Sequence, residues 1–166
     1  MEFALKPISR QSIPAAVEKA QRYRLLNEPW QAESICRDIL LVEPRHQQAL
    51  IILLLSLTDQ FADGVSPEEA LKVLATLEGD YERAYYAGII WERSAHAHLR
   101  QGRPGGYSRA YEALRRAMEL YARAETLRPE GNDEAILRWN ACARLLMKEP
   151  ALRPAIEEPY EPVTNE

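Results

Sequence analysis

The sequence predicts an all-α protein made of repeated helical hairpins. Three observations predict it. Apolar residues recur at helical spacing in successive segments, proline and glycine punctuate the boundaries between them, and no segment alternates like a strand. Of the 166 residues, 46% are hydrophobic and 28% charged, which suits one globular domain and excludes a disordered chain. A chain of this length buries a sizeable core without disulfides or a metal.

The first helix is expected from about Ile13 to Leu26. Asn27-Glu28-Pro29 follows, and Pro29 can open a helix but cannot continue one. The second runs from Pro29 to Val42 and stops before Pro44. The third covers about Arg45 to Phe61, with Asp63-Gly64 beyond it. Ser66-Pro67-Glu68-Glu69 opens the fourth: Ser66 caps, Pro67 suits the first helical position, and Glu69 reaches back to complete a capping box. That helix ends near Leu77, with Gly79 as the stop. Asp80 caps a fifth helix that runs to about Gln101. Gly102-Arg103-Pro104-Gly105-Gly106 breaks the chain before a sixth, from about Ser108 to Leu127. Gly131-Asn132-Asp133 precedes the seventh, which ends near Lys148.

This divides the chain into an N-terminal extension (1–12), a helical repeat domain (13–148) and a tail (149–166). The tail holds Pro150, Pro154, Pro159 and Pro162, and after Arg153 its only charges are Glu157, Glu158, Glu161 and Glu166. That composition reads as extended or disordered. Residues 1–12 carry Lys6 and Arg10 but no apolar stretch, so no secretory signal is expected. The most apolar run, Ala49 to Leu57, is far shorter than the ~20 residues that cross a bilayer. The expectation is a soluble, cytoplasmic protein with no membrane contact. Cys36 and Cys142 each fall in an apolar helical pattern and read as buried free thiols.

The helices repeat one another. The second carries Ala32, Cys36 and Ile39, then Pro44; the sixth carries Ala117, Tyr121 and Ala124, then Pro129. The spacings of four, three and five residues are the same in both. The fourth repeats the first part with Ala70, Leu74 and Leu77. Ahead of the second helix stand Ala20 and Tyr23, and ahead of the sixth stand Gly88 and Trp91, in each case a small residue and an aromatic three apart. Small side chains let two helices approach closely, and Tyr23, Trp91 and Tyr121 are expected to fill the space between neighbours.

This order of small residue, aromatic, alanine, large residue and proline resembles the tetratricopeptide repeat family, as a short and divergent bacterial-type member. The resemblance covers Ile13 to Arg45 well and Gln47 to Gly79 in part, with Leu54 and Leu57 at the small and aromatic positions. The third unit is stretched by 17 residues between its halves. Ala16 and Lys19 stand where the family often has tryptophan and leucine. The resemblance implies a TPR-like α-α superhelix, a solenoid of about three hairpins closed by a capping helix, with Ala135, Trp139, Cys142 and Leu146 along the packed side of that last helix.

The resemblance further implies that the first helix of each pair lines a concave, partner-binding groove. On the third helix Leu50, Leu53, Leu54 and Leu57 share one side, and Gln48, Ile51, Leu55 and Asp59 the other. The groove would then include Gln21 and Arg24, Gln48, Ile51, Leu55 and Asp59, then Ile89, Glu92, Arg93 and His96, and finally Asn140 and Arg144. Apolar pockets with amides and arginines suit an extended peptide or a partner helix.

The long third hairpin is a second candidate. From Arg93 to Tyr111 there is no acidic residue, while Arg93, His96, His98, Arg100, Arg103 and Arg109 make the stretch basic in a chain of net charge −4. Its tip, with Arg100, Arg103, Tyr107 and Arg109, is expected to bind an acidic partner, which could be the chain's own tail. Arginine outnumbers lysine 17 to 4, which favours bidentate recognition of anions. The net charge argues against a general nucleic-acid binder.

No catalytic residue, cofactor or metal is expected. The glycines at 102 to 106 lack a phosphate-binding pattern, and His96 and His98, two apart on a helix, point to different sides. His46 stands alone, and Ser34, Ser56 and Ser94 have no nucleophile context. The function expected is a protein-interaction scaffold, not an enzyme. The alternatives are a self-associating subunit using Tyr85, Tyr86, Trp91, Tyr107, Tyr111 and Trp139, or an anionic-ligand or RNA binder through the arginine-rich hairpin.

Overall fold

The computed structural model describes residues 3–155. Among them it is all-helical, with no strand and seven α-helices: α1 (Ile13–Leu25), α2 (Pro29–Val42), α3 (Gln47–Asp59), α4 (Pro67–Leu74), α5 (Asp80–Gln101), α6 (Gly106–Leu127) and α7 (Glu134–Lys148). Each helix packs on the next in the chain, and α1 also touches α3, as α3 touches α5. None of the described helices is long and apolar enough to cross a membrane.

The punctuation acts where the residues place it. Pro29 and Pro67 each open a helix. His46, isolated in the sequence, caps α3 by accepting the Ala49 N–H on its Nδ1 at 3.2 Å. Ser66 caps α4 through the Glu68 N–H, but Glu69 does not close a box; its carboxylate lies 3.5 Å from Arg37 of α2 instead. Asp80 is not a cap either. Gly79 takes that place with φ 86°, and Asp80 sits inside the first turn, paired with Arg83. The fourth helix ends at Leu74, short of Leu77, whose side chain is nevertheless buried. In the long hairpin Gly102 and Gly105 both take positive φ (59° and 72°), which lets α5 turn into α6 within four residues.

The repeated spacings face inward. Ala32, Cys36 and Ile39 of α2 are fully buried, and so are Ala117, Tyr121 and Ala124 of α6. Leu50, Leu53, Leu54 and Leu57 form the buried side of α3. The buried apolar residues fall into two clusters. One spans α1 to α4 with Ile90 and Ala97 of α5; the other joins α5, α6 and α7. Leu55 and Tyr86 pack against both and join them. Both cysteines are free and buried, and burial pushes each thiol up to about 12, so neither is a nucleophile at neutral pH.

Three expectations are corrected here. Trp91 does not fill an inter-helix space; it is 37% exposed, and Tyr121 does the filling for that hairpin. Trp139 likewise lies partly in solvent: the buried residues of α7 are Ala135 and Cys142, and the part-exposed Arg138 beside them reaches Glu92 of α5. The tail is not extended from its start: the Leu152 N–H reaches the Glu149 carbonyl at 3.0 Å, and the Leu152 side chain is buried against the second cluster. The rest of the tail, 156–166, lies outside the described residues.

Gly88 and Tyr121 set how closely α5 and α6 approach. A Cβ on Gly88 would meet Tyr121 Cε1 at 2.5 Å, and the ring has no room to retreat because it is fully buried. Alanine is the better helix former by roughly 1 kcal/mol, but forcing a methyl into a packed core costs about 1–3 kcal/mol. Gly88→Ala is therefore expected to lower stability, measured by urea unfolding. A Gly88→Ala protein as stable as the parent would sink the argument.

Candidate functional site

Three of the residues expected on the binding face meet directly. Arg24 comes from α1, Asp59 from the end of α3 and Arg93 from the middle of α5. Arg24 Nε lies 2.7 Å from Asp59 Oδ2, and its Nη2 donates to Oδ1 at 3.4 Å. Arg93 Nη1 approaches the same Oδ1 at 3.6 Å. All three side chains are partly exposed. One carboxylate thus stands between two guanidiniums with ten N–H donors between them by chemistry, far more than it can accept. The patch carries a net positive charge. Among the described residues Arg93 Nε has no acceptor and Arg24 Nε has none in line with its N–H, but both atoms are buried, so neither faces a partner.

The surroundings of this patch are mixed. Ile51 and Leu55 are half-buried on the outward side of α3, and Gln21 and Gln48 are exposed. A small depression beside Asp59 and Arg93 is completed by Thr58, His96 and Arg100. Asn140 is half-buried and Arg144 exposed on α7. Among the described residues no hydrogen bond or ion pair ties either of them to the patch.

Two residues expected on this face are interior. Ile89 is 2% exposed and Glu92 6%. The reason is that α5 is covered twice, by the earlier helices and by α6 and α7, so the side of α5 left open is narrower than helical periodicity alone implies. Glu92 accepts the Tyr121 hydroxyl on Oε2 at 2.5 Å and Arg138 Nη1 on Oε1 at 3.2 Å, with His96 Nε2 at 3.9 Å. Burial raises its pKa, but the nearby His96, the Tyr121 hydrogen bond and the charge of Arg138 outweigh burial and hold it below the ordinary carboxylate range. Burial and the adjacent carboxylate drive the Tyr121 hydroxyl upward, so it remains a donor. Arg138 was missed in the sequence. The signal was present in its position between Ala135 and Cys142.

Tyr85 belongs to the same interior. It is buried, stacked on Tyr81 at 5.7 Å and edge-on to Tyr86 at 5.1 Å. Tyr85 is thus no surface for an interface, and Tyr86 and Tyr111 are half-buried. Only Trp91, Tyr107 and Trp139 of the six candidate aromatics are exposed.

The hairpin tip is basic and open. Arg100, Arg103, Tyr107 and Arg109 are all exposed. Arg109 donates to the Pro104 carbonyl at 2.8 Å, which braces the turn. Arg100 and Arg103 form no ion pair among the described residues. Burial, then Arg109 and Arg103, hold the His98 pKa down. No group of three or more His, Cys, Asp or Glu side chains among the described residues is placed to hold a metal.

The chain matches no known family model, no curated protein and no solved structure. The site therefore has to be read from its own residues.

The Glu92 cluster makes a pH prediction. A carboxylate whose pKa is lower in the folded state adds stability above its unfolded value of about 4.3 and loses it as pH falls through the folded value. Glu92→Gln keeps the shape but weakens two charge-assisted bonds. It is expected to cost about 1–3 kcal/mol at neutral pH. The gap from the parent should close as pH drops below 4. Urea unfolding across pH 7 to pH 3 reads both; a gap that does not narrow on acidification counts against the assignment.

Proposed function

We propose that this protein is a binding module, a tetratricopeptide-like stack of hairpins whose α1–α3–α5 face holds a peptide or a partner protein. The Arg24–Asp59–Arg93 patch carries the reading. Three helices that are not consecutive in the chain contribute to one partly open polar site, flanked by half-buried aliphatics and exposed amides. The part-exposed arginine side chains suit a partner carboxylate, and Ile51 and Leu55 offer apolar contact beside them. Asp59 holds both guanidiniums in place before a partner arrives, which lowers the ordering cost of binding.

The test is capture from a lysate of the native source with nuclease present, at low and high salt. A specific protein is expected to be retained by the parent chain and lost with Arg93→Glu and Arg144→Glu, with circular dichroism confirming that both variants fold. Retention by both variants would discard this face as the site. Loss on nuclease treatment would favour the nucleic-acid alternative, whose affinity falls steeply with salt.

Self-association is the second reading, and a separate observation favours it. Leu25, Leu26 and Trp30 expose large apolar side chains at the α1–α2 turn, Leu25 at 84%. An open groove of about 460 Å³ beside Tyr23 and Leu26 lies at the same end. Apolar area of this kind on one element marks an interaction surface. Sedimentation velocity over a wide concentration range is expected to show mass growth that Leu26→Glu with Trp30→Glu abolishes; a constant monomer mass would end this reading.

A further inference from the structure

On another side of α5, an open groove of about 520 Å³ runs between α5 and α6. Trp91 and Ala113 supply its apolar surface, with Arg109, Arg116 and His98 around them and Glu112 as the one acidic neighbour. Trp91 and Arg93 are two residues apart on one helix and so face different sides. The groove is thus separate from the proposed partner face, and the inference does not depend on it.

The chain itself arrives at this groove. Leu152 is buried against the second core cluster, which anchors the segment after α7, and Ala155 lies in the groove wall. The residues that follow are Ile156, Glu157, Glu158, Pro159, Tyr160, Glu161, Pro162, Val163, Thr164, Asn165 and Glu166. They carry four acidic side chains, no basic one, and apolar Ile156, Tyr160 and Val163. We propose that the groove between α5 and α6 is the docking site of this chain's own acidic segment 156–166.

Three arguments support that occupant over others. The charges are complementary at Arg109, which lines the groove with no carboxylate partner among the described residues, its contact being the Pro104 carbonyl, while Arg116 beside it is shared with Glu119. The reach is sufficient. Eleven residues span at most about 36 Å, and the seven positions of α6 from Ala113 back to Gly106 rise only about 10 Å. The tether is short, because Ala155 is already in the wall, so the local concentration of the segment is on the order of millimolar and even a weak contact is occupied. Docking there would cover Trp91 and engage Arg109, so an acidic competitor for this groove would have to displace the segment.

The experiment uses the full chain with Trp30→Phe and Trp139→Phe, so that Trp91 is the one fluorophore, and measures acrylamide quenching at low salt. Replacing Glu157, Glu158 and Glu161 by lysine is expected to raise the quenching constant about twofold or more, as the tethered contact is lost. High salt should do the same to the parent. Adding Arg109→Glu and Arg116→Glu to the lysine variant is expected to restore protection. Equal quenching of the parent and the lysine variant overturns the proposal, and circular dichroism of both checks that the helices are intact. Protection that grows with protein concentration also overturns it, because the occupant would then be the segment of a second copy.

Discussion

Glu92 is a carboxylate enclosed by three helices, and the arrangement of those helices follows from keeping it satisfied. An ionised carboxylate in the interior is tolerated only with charge and hydrogen bonds around it. Here α6 supplies the Tyr121 hydroxyl and α7 the Arg138 guanidinium. The Tyr121 ring can reach because Gly88, one turn earlier on α5, has no side chain in its path. A polar constraint and a steric one therefore act on the same pair of helices, and α7 is registered by its arginine rather than by apolar packing alone.

That arrangement has consequences for the open surface. With Ile89 and Glu92 turned inward, α5 presents Arg93 and His96 on the side shared with α1 and α3. Asp59 then sits between Arg24 and Arg93 and holds both guanidiniums half-exposed. A surface ion pair contributes little to stability, and this one is better understood as positioning donors than as holding the fold. On another side of α5, Trp91 is left out of the core that its repeat position suggests, and it lines a groove instead. The interior cluster and the two exposed features are thus set by the same helix orientation.

The order of elements was legible because it is local chemistry. Pro29, Pro67, Ser66 and Gly102 act within one turn of themselves, so their effect needs no tertiary context. The four-three spacing of Ala32, Cys36 and Ile39, and of Ala117, Tyr121 and Ala124, marks a buried stripe because helical periodicity alone puts those residues on one side. Arg24, Asp59 and Arg93 were candidates because the tetratricopeptide resemblance implies a groove on the first helix of each pair, and that resemblance says nothing of the contact between them. The capping box at Ser66 failed for a non-local reason: Arg37 of a neighbouring helix draws Glu69 away.

The sequence by itself determined seven helices, their approximate ends and the inward stripes of α2, α3 and α6, since these depend on residues within a few positions of one another. Only the tertiary structure decided that Glu92 and Ile89 are interior, that Arg138 rather than Trp139 faces α5, and that Leu152 continues the core past the last helix. Each of those depends on how many neighbours cover a helix and from which directions. That is a property of packing between segments distant in the chain, and periodicity within one helix does not encode it.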